Sequence, residues 1–146
     1  MIQGRDLAAL IPHAGAMVLL DSVLRWDAGG IRCASRSHLA AGNPLRRAGR
    51  LPAICGVEYA LQAAALHGAL LAGGVAQRAG YVARLREVAL HADRLDDAGF
   101  GALTVEARLE RQEANGMLYA LHVTAADGRA LVTARASIAL PAAVAP

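Results

Sequence analysis

Proton-transfer chemistry at neutral pH needs a group that titrates near 7 and a second group in the opposite role. The chain has 5 histidines, at positions 13, 38, 67, 91 and 122, and 12 carboxylates. One carboxylate stands apart. Glu58 lies in the stretch 51–74, LPAICGVEYALQAAALHGALLAGG, where only Glu58, Gln62 and His67 are strongly polar between Ala53 and Ala72. A carboxylate in such company is either paired with an arginine or kept for its proton, with desolvation raising its pKa into working range. Cys33 and Cys55 form neither a disulfide framework nor a metal-ligand set, so no metal site is implied. Cys55, at the start of the apolar stretch, is placed where a helix N-terminus lowers a thiol pKa, yet no histidine is its evident partner. Arg46, Arg47 and Arg50 form a basic group just upstream. They read as a solvated loop or as a dock for a phosphate or an acidic protein.

The element that must position Glu58 is one helix of about five turns over 51–74. Pro52 suits its first position, Ala and Leu its middle, and Gly73-Gly74 a left-handed stop. A helix apolar nearly all round is wrapped by protein or by lipid. Glu58 in its first turns, the weak hydrophobicity of Ala and the lack of a Trp/Tyr belt speak against a membrane span. Upstream, 4–10 suits a short helix, 17–26 a buried strand and 31–38 its antiparallel mate after the turn 27–30. The loop 39–50 then delivers the chain to the helix, and structureless loops of that length are often functional. Downstream, 81–92 and 102–112 read as strands. Asn115-Gly116 is a hairpin turn, 117–123 a third strand, Asp127-Gly128 a turn, 132–140 a fourth strand and 141–146 a frayed tail. The expected fold is α+β and a single domain over 1–146, with one buried helix and about six antiparallel strands. A single sheet curled around the helix is the hot-dog arrangement.

Composition narrows the partners. The chain has 146 residues, 55% hydrophobic and 18% charged, enough for one core. With 3% aromatics and a net charge of +3, single-strand nucleic-acid binding by base stacking is excluded, and an acidic protein or an anionic ligand fits better. The N-terminus MIQGRDLAALIP lacks the basic start and long apolar run of a signal peptide, so the cytoplasm is expected.

Two segments carry a family likeness. IPHAGAMVLLDSV resembles the opening of hot-dog 3-hydroxyacyl-carrier-protein dehydratases. PAICGVEYALQ resembles the start of their central helix, with Pro52, the acid Glu58 six residues on and Gln62 four further. The combination is closest to the dehydratase-like group of aryl-polyene biosynthesis, and GYVARLREVALHADR is similar to that group's post-helix strand. The resemblance implies a hot-dog enzyme without metal or redox cofactor. It would act on acyl groups carried by the phosphopantetheine of acyl carrier protein, and work as a homodimer or as a heterodimer with a related hot-dog subunit. It departs in one place: where the fatty-acid enzymes carry their histidine, eight residues before the proline, this chain has Pro44.

Dehydrating a 3-hydroxyacyl thioester takes a base for the α-proton, an acid for the departing β-hydroxyl and donors for the thioester oxygen. Glu58 is the expected acid. His13, in the opening motif, is the expected base, and His38 is second in line; the chosen pair should stand on the order of 4–8 Å apart. His67, nine residues after Glu58, faces the opposite side of the helix. The first-turn amides at Ala53, Cys55 and Gly56, with Gln62 beside them, are the expected thioester contacts. Arg46, Arg47 and Arg50 are the expected carrier-protein dock. Two rivals share the same residues: a hot-dog thioesterase in which Glu58 activates water, and a non-catalytic acyl-binding subunit.

Overall fold

The computed structural model describes residues 1–74 and 81–139. In chain order it contains β1 (Ile2–Gln3), α1 (Gly4–Ala8), β2 (Ser22–Asp27), β3 (Gly30–Ser35), α2 (Gly56–Leu71), β4 (Tyr81–Leu90), β5 (Leu103–Glu113), β6 (Gly116–Thr124) and β7 (Ala130–Ala139). The strands make one antiparallel sheet of order β1-β2-β3-β5-β6-β7-β4. The chain therefore leaves α2, builds the far edge as β4, and returns to pair β5 with β3. This is the hot-dog arrangement expected above, with seven strands in place of about six because Ile2–Gln3 adds a short edge beside β2.

The alternation in β5 to β7 places the core. Leu103, Val105 and Ala107 turn inward, as do Tyr119, Leu121 and Val123, and Val132, Ala134 and Ala136. Thr104, Glu106 and Arg108 face out. Against this inner face α2 lays Tyr59, Ala60, Ala63, Leu66 and His67. The contact is close. A Cβ on Gly56 would stand 2.8 Å from Val132 Cγ2, so only glycine lets the first turn reach the sheet. By length and hydropathy the segment Ala53–Leu71 could cross a bilayer, but 61% of it is buried inside the protein, as a core helix.

Several boundaries differ from the sequence reading: α1 ends at Ala8 rather than 10, β3 at Ser35 rather than 38 and β4 at Leu90 rather than 92, and further differences have a local reason. Pro52 lies just outside the helical segment with φ −58° and ψ 147°, and a 3-10 turn at Ala53–Cys55 precedes α2. The segment 18–21 is not strand, because the Leu19 amide bonds to a glutamine side chain rather than to a neighbouring strand. Glu113 pairs with Gly116, so the β5–β6 turn is Ala114-Asn115. Gly116 is instead needed in the strand, where a Cβ would lie 2.5 Å from Ile138 O. A bulge at Glu110 breaks the alternation of β5 at its end. The helix stop is as read: Gly73 and Gly74 have φ of 80° and 83°, and their amides donate to Leu70 O and Ala69 O. Leu140 and the tail 141–146 lie outside the described residues.

Candidate active site

Glu58 is exposed, in the first turn of α2. The sequence predicts a helix wrapped on all sides, but a single sheet layer covers only the side that faces it. Ile54, Glu58, Leu61 and Ala65 recur at helical spacing and form the uncovered strip, with Leu61 and Ala65 half-buried. Among the described residues no cation pairs with Glu58. The internal salt bridge that competed with a proton-transfer role is absent among them.

His13 lies in the extended connection after α1, half-buried, with Nδ1 shut off from solvent and without a hydrogen-bond partner. That connection is tied to the helix one turn beyond Glu58. Gln62 is fully buried; its Oε1 accepts the Leu19 N–H at 2.9 Å and its Nε2 donates to Met17 O. The amide is thus committed to the backbone, and Gln62 acts as a clasp that ties Met17 and Leu19, just downstream of His13, to α2. No hydrogen bond joins His13 to Glu58 among the described residues.

His38 sits in a 3-10 turn at Ser37–Leu39, fully buried, with neither ring nitrogen bonded. Burial pushes its pKa down. His38 is thus shut off from solvent in this chain, whereas His13 is half-buried. His67 lies in the core, as its helical phase requires. Its Nδ1 shares a 2.7 Å hydrogen bond with Tyr119 Oη, and its Nε2 lies 2.7 Å from Asp27 O.

The first-turn amides are largely spent. Ala53 N–H donates to Asp93 O at 3.1 Å and Cys55 N–H to Pro52 O at 3.0 Å, while Gly56 N–H donates back to Ala53 O. Ile54, on the exposed strip, is not among those so committed. Cys55 does not have the lowered pKa that its position suggested: burial first, then the Glu58 carboxylate, push the thiol up, with Arg47 opposing. Cys33, buried in the sheet, is pushed up to about 12 by desolvation.

The three arginines divide. Arg46 is locked in place, donating to Ala40 O at 2.9 Å, Gly49 O at 3.1 Å and the Asp96 carboxylate at 3.2 Å. Asp96, with its side chain 3% exposed, also takes Arg94 at 2.6 Å and the Leu51 N–H at 3.0 Å. The Arg94 guanidinium foremost holds its carboxyl well below the usual carboxylate range. Arg46 is therefore a structural strut. Arg47 and Arg50 are exposed and face each other across a tight turn, Ala48-Gly49, with positive φ of 50° and 77°.

The sequence reading missed two features. One is Asp96. The other is a buried network in which Ser37 Oγ meets Tyr59 Oη at 2.7 Å, Asn43 Nδ2 donates to the same hydroxyl at 2.9 Å, and Ser35 and Ser37 both donate to Leu19 O. It anchors the loop before α2. Its members come from the end of β3, the turn Ser37–Leu39, the loop before α2 and α2 itself, so spacing along the chain does not reveal them.

With this geometry in view, known proteins supply the family. Residues 5–145 match the model of the ApeP-like family, described as ApeP dehydratase. The chain belongs to the ApeP dehydratase family. No curated protein matches it. Among solved structures it is similar to the dehydratase heterocomplex ApeI:P from Xenorhabdus doucetiae, with TM-score 0.78, 19% identity, and 93% of this chain and 91% of that chain covered. It is also similar to a hypothetical thioesterase with coenzyme A from Streptococcus pneumoniae TIGR4, with TM-score 0.61, 14% identity, and coverage of 85% and 88%. The E. coli PaaI protein of the phenylacetic acid degradation operon is a third, with TM-score 0.60, 12% identity and 81% of each chain. At these identities the structural likenesses establish the hot-dog fold. The family match is what points to dehydratase chemistry.

Proposed function

We propose that this protein dehydrates 3-hydroxyacyl thioesters carried on acyl carrier protein to trans-2-enoyl thioesters. The observation that carries the reading is Glu58, a lone carboxylate without a cation partner among the described residues, on the open strip of the central helix of an ApeP-family chain. His13 takes the α-proton. The electron pair moves into the thioester, whose oxygen lies at the N-terminal corner of α2 within reach of the Ile54 N–H. Glu58 protonates the β-hydroxyl as it leaves as water, and the Cα–Cβ double bond forms. No metal or redox group takes part. The exposed Arg47/Arg50 turn beside the helix entry meets the phosphopantetheine phosphate or an acidic face of the carrier protein.

The open helix strip and the free edge of the sheet belong, in this reading, against a second hot-dog subunit in the cytoplasm. That subunit closes the site over Glu58. The heterocomplex named for the Xenorhabdus relative supports such a partner.

The test gives the protein 3-hydroxyacyl carrier protein and, separately, the saturated acyl thioester. The reading expects loss of water from the first and no reaction with the second. Thioester cleavage would make it a thioesterase, and inertness with either substrate an acyl-binding subunit. Glu58→Gln keeps the charge-free shape of the acid and should cut turnover by roughly 10²–10⁴-fold with the melting temperature unchanged. His13→Ala should do the same, and a variant of either kind that turns over at the wild-type rate removes that residue from the mechanism.

A further inference from the structure

We infer that the β4 edge selects a partner whose own free edge is acidic, and that Arg84 and Arg86 make that choice against a second copy of this chain. The inference rests on the reading that the protein pairs with a second hot-dog subunit; it concerns which subunit.

The sheet has two edges. β1 is two residues long, whereas β4 runs for ten and, among the described residues, pairs with β7 alone. An edge of that length is a template for another strand. Its inner side is apolar and uncovered: Val82, Leu85 and Leu90 are 42%, 40% and 48% exposed. They lie opposite Ile138, Ala136 and Val132, whose side chains belong to the concave face. The concave face thus continues past the cover of α2, and a second subunit joined at β4 would bury it.

The outer side of the same strand is cationic. Arg84 and Arg86 are exposed and lie opposite Ser137 and Arg135 of β7. Arg135 is satisfied by Glu110 at 3.0 Å and by Glu87 at 3.3 Å. Glu87, the one acid of the strand, sits in the bulge with φ of 54° and is turned back to β7 rather than to the free edge. The ion pairs among the described residues leave out Arg84 and Arg86.

Two-fold pairing of β4 with itself must keep outer face with outer face, because side chains alternate with period two. Centred on Leu85, it sets Arg84 opposite Arg86 of the second copy, twice. Centred on Arg84 or on Arg86, it sets an arginine opposite itself. Like charges directly opposed across a strand pair are destabilising. Carboxylates at those positions on a different subunit would turn the same contacts into ion pairs. The apolar inner side thus supplies adhesion and the two arginines supply discrimination.

The test needs only this chain. Wild type is mixed with the double variant Arg84→Glu/Arg86→Glu, one carrying a mass tag, and the dimers are counted by native mass spectrometry. Each protein alone opposes like charges, whereas the mixed pair opposes unlike ones. The expected result is a pairing ratio (mixed dimer squared over the product of the two self-dimers) about tenfold or more above its statistical value, falling towards it as salt rises from about 0.05 to 1 M. The neutral variant Arg84→Gln/Arg86→Gln should self-associate more tightly than wild type. Statistical mixing, pairing insensitive to salt, or no dimer in any sample overturns the inference. The dehydratase reading is scored separately by turnover, so the failure of one does not mimic the failure of the other.

Discussion

Replacing Gln62 by Leu tests whether the His13 segment is held by the clasp described above. The change keeps an apolar side chain of similar length on a helix position that is 1% exposed, so packing against the core is largely retained. It removes both polar atoms. The Leu19 N–H, on a residue with no exposed surface, loses its acceptor, and Met17 O loses its donor at a half-buried place. A buried polar group left unbonded costs about 1–3 kcal/mol. Water can partly rescue Met17 O but not Leu19, so the sum is about 2–4 kcal/mol. For a chain of this size that lowers the melting temperature by roughly 6–12 °C. Thermal unfolding followed by far-ultraviolet circular dichroism reads the loss. Amide exchange of Leu19 reads its cause, since protection should collapse at 19 while the strands of the sheet keep theirs. Turnover should fall as well, although Gln62→Leu leaves Glu58 and His13 in place, because the base is no longer positioned. A melting shift under about 3 °C with Leu19 still protected would refute the clasp and its role in positioning His13.

Asp96→Asn keeps an acceptor for the Leu51 N–H but leaves Arg46 and Arg94 without their charge, and should cost about 1.5–3 kcal/mol at pH 7 by urea unfolding. The folded carboxyl is held below its ordinary 3.8, so this contribution is complete above about pH 4 and is lost only as pH falls further; wild type and variant should converge there and nowhere else. His38 has the opposite dependence. Its folded pKa lies below 6.5, so the unfolded chain takes up the proton first, and stability falls as pH drops from 7 towards 5 with a slope of up to about 1.4 kcal/mol per pH unit. His38→Leu should flatten that slope without abolishing turnover, and parallel curves for the two proteins would contradict the sealed-imidazole picture. Gly56→Ala forces a methyl to 2.8 Å from Val132 Cγ2, for a cost of about 1–3 kcal/mol that the added substitution Val132→Ala should partly recover in a double-mutant cycle.

The sequence alone determined whatever depends on period and on near neighbours. Alternation in 103–109, 117–123 and 132–138 set which side chains face the helix, because a strand's side chains can only alternate. The run of Ala and Leu before Gly73-Gly74 set the central helix and its stop, because propensity and left-handed glycines act locally. Pro52, Glu58 and Gln62, with the opening IPHAGAMVLLDSV, were enough to carry the family. Only the tertiary structure decided the fate of each polar side chain. Gln62 lies four residues from Glu58, yet its hydrogen bonds reach 43 and 45 residues back along the chain. Arg46 and Arg47 are neighbours, but one is clamped by Asp96, fifty residues on, while the other stays free of ion pairs among the described residues. His38 and His13 look equally available as letters; packing seals the first and leaves the second half-open. The exposure of Glu58 belongs to the same class. The helix is apolar nearly all round, and no local rule says which side a single sheet will leave uncovered. Hydrophobic pattern is written into consecutive residues, whereas a polar group's partner is chosen by whichever distant segment the fold brings within about 3 Å.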